Sequence, residues 1–229
     1  DRAALREPAA GWFYTERVDV GEGRHVIDKN LALAAALGAQ ASPREFPMAD
    51  VTSAALDALR AGGVSDFALL NCGAAWPNKR WPADRFGQIA VWLREQHGLP
   101  SVVLWGPGES DLAAEVVRVS GGAAVAAPAT GLRDLVALSR AARLMVSGDT
   151  GPTHIAGAAG TPIVAIFGPT DPARNGPWNP SDVIVSRYDA CGCHYQRRCH
   201  RPGDGWCLLQ VDVAQVQRAI DSRLSERPS

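Results

Sequence analysis

No stretch of this chain stays apolar long enough to cross a bilayer, and the opening residues Asp1-Arg2-Ala3-Ala4-Leu5-Arg6-Glu7-Pro8 lack the apolar core of a secretory signal. The chain is therefore read as cytoplasmic. Charge of one sign is not in excess either: 23 Lys and Arg stand against 24 Asp and Glu, for a net charge of -1. That balance disfavours a nucleic-acid partner, which calls for a basic field. Cysteine is scarce until one segment: Cys72 stands alone, while Cys191, Cys193, Cys199 and Cys207 crowd together. Their C-x-C-x5-C-x7-C spacing is not the paired C-x2-C of a zinc ribbon. Three readings stay open: a structural zinc, with His194 or His200 replacing one thiolate; a disulfide in an oxidised preparation; or uncoordinated thiols in a loop.

What is present is ordinary globular material. The 229 residues are 46% hydrophobic and 21% charged, enough to bury a sizeable core and too apolar for disorder. The chain opens without Met and runs straight into structured-looking sequence, so it is expected to be a fragment.

From Phe67 onward, short apolar runs alternate with amphipathic segments. Strands are expected at 67–71, 101–105, 123–125, 143–146 and 162–167, and helices at 82–96, 109–119, 132–141, 153–159 and 211–224. Continuously apolar strands between helices imply an α/β fold: a Rossmann-like parallel sheet covered by helices on both faces. Residues 1–63 differ. Trp12-Phe13-Tyr14-Thr15 reads as an edge strand, and Asn30 to Leu37 and Thr52 to Ala61 read as helices. This part has too few strands for a sheet of its own. It is taken as the tail of an upstream domain plus a linker, with the second domain spanning 64–229 after the turn at Gly62-Gly63.

In doubly wound sheets, ligands sit beyond the carboxyl ends of the strands. The segments there are Cys72-Gly73-Ala74-Ala75, Gly106-Pro107-Gly108-Glu109, Pro128-Ala129-Thr130-Gly131 and Gly148-Asp149-Thr150-Gly151, all small or polar. The last runs into Pro152-Thr153-His154 at a helix start, where exposed N–H groups and the helix dipole make an anion site. An ordinary strand-to-helix turn with Thr or Asp as its cap is the plainer alternative.

Lys79 and Arg80 project from a short loop flanked by Trp76 and Trp81, and can neutralise a diphosphate as a point charge and a planar fork. Otherwise they are a solvated basic pair. Glu109 can accept both hydroxyls of a ribose, or it simply complements the dipole of the helix it precedes. His154 can donate to a phosphate oxygen or hold Asp149, or it can be a packing histidine. Thr170 and Asp171 end the following strand as a ligand lip or a rigid corner.

Taken together, Asn71-Cys72-Gly73-Ala74-Ala75-Trp76 with Lys79-Arg80-Trp81-Pro82, then Trp105-Gly106-Pro107-Gly108-Glu109, then Asp149 to Ala156, then Phe167-Gly168-Pro169-Thr170, resemble the ADP-heptose:lipopolysaccharide heptosyltransferase family, glycosyltransferase family nine. The resemblance runs from about Trp12 to the chain end. The cysteine-bearing tail with Arg197-Arg198 is similar to the heptosyltransferase II branch.

The resemblance implies a GT-B architecture of two Rossmann-like domains, of which this chain would hold the C-terminal one and a remnant of the N-terminal one. It implies donor contacts from Lys79 and Arg80, from the backbone at Ala74 and Ala75, from Glu109 on the ribose, from Thr130 beside the adenine, and from Asp149, Thr150, Gly151 and His154 around the phosphates and sugar. The partners implied are ADP-heptose and a lipid-linked oligosaccharide acceptor, with peripheral association at the inner face of the inner membrane.

Two departures from the family pattern stand out. Ala74 and Ala75 replace hydroxyl residues found in some members, and the first domain, with its carboxylate base, is almost entirely absent. No cofactor or catalytic divalent ion is expected, because Lys79 and a helix terminus can stabilise a leaving diphosphate. A nucleotide-sugar binding module without activity, and a sugar-nucleotide epimerase on the same architecture, are the competing readings.

Overall fold

The structure is a computed structural model that describes residues 8–20, 25–40, 45–199 and 207–225. His200 lies outside the described residues. The chain divides into two compact units, Asp1–Glu45 with Ala173–Asn175, and Phe46–Pro172 with Gly176–Ser229.

The described part of the smaller unit is a 3-10 turn, Pro8–Trp12, and helix α1, Val26–Ala36. α1 starts ahead of the expected Asn30 because the His25 ring accepts the Ile27 N–H at 3.2 Å and caps it. The strand expected at Trp12–Thr15 is not formed. A strand requires a neighbour for its N–H and C=O groups, and Trp12 and Phe13 stand 80% and 84% exposed with no strand among the described residues beside them.

The larger unit is built from α2 (Ala54–Ala61), β1 (Ala68–Asn71), α3 (Ala83–His97), β2 (Ser101–Leu104), α4 (Ser110–Val119), β3 (Ala124–Ala126), α5 (Leu132–Ala141), β4 (Leu144–Gly148), α6 (Gly151–Ala158), β5 (Ile163–Phe167), β6 (Val183–Ser186) and α8 (Val213–Ser225), while the turn α7 (Pro172–Asn175) falls, from Ala173 on, in the smaller unit. All six strands are parallel, in the order β3-β2-β1-β4-β5-β6. This is the doubly wound order, which reverses direction between β1 and β4.

Alternate strand residues serve the two faces. Leu70, Val103, Val146 and Ile166 pack with Phe86, Ile89 and Leu93 of α3, Val116 of α4 and Ile220 of α8. Leu69, Val102, Met145 and Phe167 pack with Leu56 and Leu59 of α2, Leu138 of α5 and Ala156 of α6. Each fully buried side chain of this kind contributes about 1.5–3 kcal/mol.

The larger unit begins earlier than the expected division at residue 64. Ser53 caps α2 by accepting the Leu56 N–H at 3.0 Å and donates to Asp134 Oδ1 of α5 at 2.6 Å. Arg140 of α5 donates to the carbonyls of Met48 and Ala49 and to Asp50. These bonds, with the burial of Leu56 and Leu59, join residues 46–61 to the sheet. β6 was not among the expected strands. It is a four-residue, half-buried edge, and Asp182 before it accepts the Ile163 N–H of β5 and Arg223 Nε of α8, both at 2.9 Å.

Candidate functional site

The reversal between β1 and β4 opens a crevice beyond their carboxyl ends, as this topology requires. Register places Asn71 of β1 beside Leu104 of β2 and Ser147 of β4, so the loops that follow start side by side. They enclose a cavity of about 540 Å³.

Asn71 ties two of these loops together. Its buried Nδ2 donates to Ser147 Oγ at 2.9 Å and to Thr150 Oγ1 at 3.0 Å. Thr153 Oγ1 donates to the Gly148 carbonyl at 2.6 Å and lies in hydrogen-bond contact with Ser147 Oγ at 2.8 Å. With its hydroxyl held in this network, Thr150 makes no side-chain cap on α6, which starts at Gly151 with Pro152 in its first turn. In the first turn of α6 Pro152 has no N–H and the Thr153 N–H donates to the Thr150 carbonyl at 3.2 Å, so the Gly151 N–H, at the cavity lining and without a side-chain acceptor from the cap, is the donor this helix start offers to an anion.

Lys79, presented by the 3-10 turn Pro77–Lys79, reaches the residues just before α6. The turn fits because Gly148 has no side chain: a Cβ there would come within 3.1 Å of the Lys79 carbonyl. Lys79 Nζ lies 2.6 Å from Asp149 Oδ2 and 4.5 Å from the centroid of Trp76. Thr170 Oγ1 donates to the same Asp149 oxygen at 2.7 Å, and His154 Nε2 is 3.7 Å from the other. Burial alone would raise the Asp149 pKa, but hydrogen bonds from His154, Lys79 and Thr170 outweigh it and hold the carboxyl well below the usual range. The result is a cation of fixed position with its charge compensated until an anion arrives.

Glu109 is fixed differently. Its Oε2 accepts the Gly106 N–H at 3.0 Å, and the carboxylate packs over Gly73, where any Cβ would collide with it. Although Glu109 precedes α4, its side chain makes no cap bond to that helix. Apolar walls come from Leu104, Trp105, Leu132 and Leu135, with the Trp105 indole N–H anchored on the Ala127 carbonyl at 2.8 Å.

Of the residues singled out in the sequence, Lys79, Ala74, Ala75, Glu109, Thr130, Asp149, Thr150 and Gly151 line this cavity. Arg80 and His154 are not among the lining residues. Arg80 braces the loop instead, donating from Nε to the Ala74 carbonyl at 2.8 Å and standing 3.8 Å from Glu109 Oε1. His154 backs Asp149. Trp81 is core: its indole donates to the Val211 carbonyl at 2.9 Å and meets Phe86 edge-on at 5.0 Å.

Asn71, Leu104, Leu132 and Leu135 line the cavity without having been anticipated as site residues. Asn71 shows only as an amide closing an otherwise apolar strand, and Leu132 as a leucine 75% exposed at a helix start.

The four clustered cysteines do gather, Cys191, Cys193 and Cys207 buried and Cys199 packed on them. No disulfide forms among the described residues, and no group of three His, Cys, Asp or Glu side chains among them is arranged to hold a metal ion. The His194 ring stacks on Tyr188 at 4.1 Å, with its Nε2 2.8 Å from the Tyr188 carbonyl.

With this geometry in place, comparison with known proteins is decisive for the family. The family model described as "Glycosyltransferase family 9 (heptosyltransferase)" matches residues 2–203. This chain belongs to glycosyltransferase family 9. The family-9 chain is 26% identical over 204 residues to lipopolysaccharide heptosyltransferase 1 of Pseudomonas aeruginosa, covering 87% of this chain and 55% of that protein. A solved family-9 glycosyltransferase from Veillonella parvula superposes with a TM-score of 0.73 at 25% identity, covering 91% of this chain and 62% of that one. E. coli heptosyltransferase WaaC with ADP superposes at 0.68 with 20% identity, covering 97% and 64%, and shares the fold. The family-9 chain thus spans about half to two thirds of the length of the proteins it matches. Curated heptosyltransferases 1, 2 and 3 are all among its relatives, so the matches carry the family and no single branch.

Proposed function

We propose that this chain is the donor-binding part of an inverting glycosyltransferase that moves heptose from ADP-heptose to a lipopolysaccharide core acceptor. The observation that carries the reading is the cavity at the β1/β4 reversal, lined by the Lys79–Asp149 pair, the start of α6 and Glu109. E. coli heptosyltransferase WaaC has been solved with ADP and with ADP-2-deoxy-2-fluoro heptose, and this chain takes the same fold.

In this reading the diphosphate lies between Lys79 Nζ and the N–H groups around Thr150 and Gly151. Backbone at Ala74 and Ala75 borders it, Glu109 takes the ribose hydroxyls, and Thr130 with Leu132 and Leu135 flanks the adenine. Asp149 keeps Lys79 aimed, His154 backs Asp149, and Arg80 stiffens the loop. The acceptor hydroxyl, relieved of its proton by a carboxylate upstream of these residues, attacks the anomeric carbon. The bond from that carbon to the β-phosphate oxygen breaks, and ADP departs with the charge that Lys79 and α6 stabilise. The acceptor is a lipid-linked oligosaccharide, met at the inner face of the membrane by peripheral contact. Among the described residues no helix is long and apolar enough to cross it.

Calorimetric titration of the chain with ADP, UDP and inorganic pyrophosphate tests the donor site. ADP should bind in the range usual for substrates, and Glu109→Gln should weaken ADP while leaving pyrophosphate unchanged. Equal loss for both ligands, or no ADP binding in the millimolar range, overturns the assignment. In a transfer assay, release of ADP should require the acceptor. Conversion of the donor alone would instead indicate an epimerase or hydrolase.

A further inference from the structure

The cysteine segment touches the proposed donor site at two points. Gln196, within it, accepts on its carbonyl a 2.8 Å hydrogen bond from Asn78 Nδ2. Asn78 is 2% exposed and sits between Pro77 and Lys79 in the turn that presents the lysine. On the other side, the Tyr195 N–H donates to the Pro169 carbonyl at 2.8 Å, with Tyr195 held at a φ of 57°. Cys207 packs against Gly168 so closely that a Cβ there would meet its sulfur at 3.0 Å. The next residue after Pro169 is Thr170, which donates to Asp149. Lys79 and Asp149 are thus each held from behind by one loop, and that loop is knotted by its own thiols: Cys193 Sγ contacts Cys199 Sγ at 3.4 Å, and the Cys193 N–H donates to Cys191 Sγ at 3.4 Å.

We propose that Asn78 is a positioning residue that couples the cysteine loop to the nucleotide site, so that a diphosphate on Lys79 and a closed thiol knot stabilise each other. The proposal rests on the donor-site reading above. Coupling between two binding events is reciprocal: whatever the loop contributes to nucleotide affinity, the nucleotide returns as protection of the loop. Asn78 carries this because it acts on Lys79 through one backbone bond of its own turn, while its amide reaches the loop 118 residues away in sequence.

Iodoacetamide labelling of the full chain, read by peptide mass spectrometry at Cys193 and Cys199 with and without ADP, tests the coupling. Each thiolate displaces iodide, forming a carbon–sulfur bond, so the rate reports how often the knot opens. In the wild type, ADP should slow labelling of both by about tenfold, the scale of one net hydrogen bond. In Asn78→Ala, with its circular dichroism unchanged, labelling should be fast with or without ADP, and ADP affinity should fall by a similar factor. A purely structural Asn78 would speed labelling without weakening ADP.

ADP binding to the wild type with no change in labelling overturns the coupling and leaves the donor site standing. Failure of the wild type to bind ADP overturns the donor reading and this proposal with it. The wild-type comparison needs no variant, so the proposal stays falsifiable even if Asn78→Ala does not fold.

Discussion

Asp149 Oδ2 takes two charge-assisted hydrogen bonds, from Lys79 Nζ at 2.6 Å and Thr170 Oγ1 at 2.7 Å, in a position 8% exposed. Its depressed pKa means that the ionised form favours folding. That contribution is complete above the ordinary carboxylate pKa of about 4 and is lost as the pH falls through the lower folded value. The stability gap between wild type and Asp149→Asn, measured by denaturant unfolding, should therefore be largest at neutral pH and should narrow below about pH 4. A gap constant down to strongly acidic pH would mean that the charge contributes nothing. Lys79→Ala leaves the same carboxylate short of its cation. It should cost about 1–3 kcal/mol of stability, and in an acceptor-competent form of the enzyme it should lower turnover by more than about tenfold. Wild-type turnover in that variant would remove Lys79 from the mechanism. These residues were legible in the sequence as residue types in loops beyond the strand ends, but the distances between them were not. That His154 would stand behind Asp149 rather than line the cavity depends on where α6 starts, one residue after Thr150.

At the scale of elements, the carboxyl ends of β1, β2 and β4 act as one platform because their registers align Asn71 with Leu104 and Ser147. Five of the six strands were readable because parallel strands buried on both faces are runs of Val, Leu, Ile and Ala between helical periods. β6 was not, since Val183–Ser186 is a half-exposed edge lying between Gly- and Pro-rich loops. The strand expected at Trp12–Thr15 failed for the opposite reason: β-forming residues were present without a partner to pair with. The close approach of the β1 and β2 loops at Gly73 was equally invisible, because only the fold brings Glu109 over it. Gly73→Ala should displace the Glu109 carboxylate and weaken ADP by about tenfold, as the loss of a hydrogen-bonded ribose implies, with little change for pyrophosphate. Equal weakening of both ligands in calorimetry would show that the loop as a whole had moved. Asn71→Leu, which removes the amide that donates to both the Ser147 and Thr150 hydroxyls, should lower the unfolding free energy by about 1–3 kcal/mol in denaturant titration.

At the scale of the molecule, the boundary of the larger unit follows from burial rather than composition. The Gly62-Gly63 turn looks like a linker in sequence, yet Leu56 and Leu59 before it are 8% and 6% exposed against the sheet. A chain starting at Phe46 should keep its thermal midpoint and its ADP affinity. One starting at Val64 should lose about 3–6 kcal/mol, the burial of two leucines, along with the Ser53–Asp134 bond. Similar stability in the two would refute the role given to α2. The cysteine loop is the other feature that only the whole molecule explains. In sequence a metal, a disulfide and uncoordinated thiols all stay open for it, whereas its place in the fold, bonded to the turn of Lys79 and next to the Thr170 that holds Asp149, fits a brace. The most direct test of the central claim is a crystal structure of the chain soaked with ADP. The account predicts the diphosphate between Lys79 Nζ and the Gly151 N–H at the start of α6, with the ribose hydroxyls on Glu109; ADP bound elsewhere, or a diphosphate out of reach of Lys79, would contradict it.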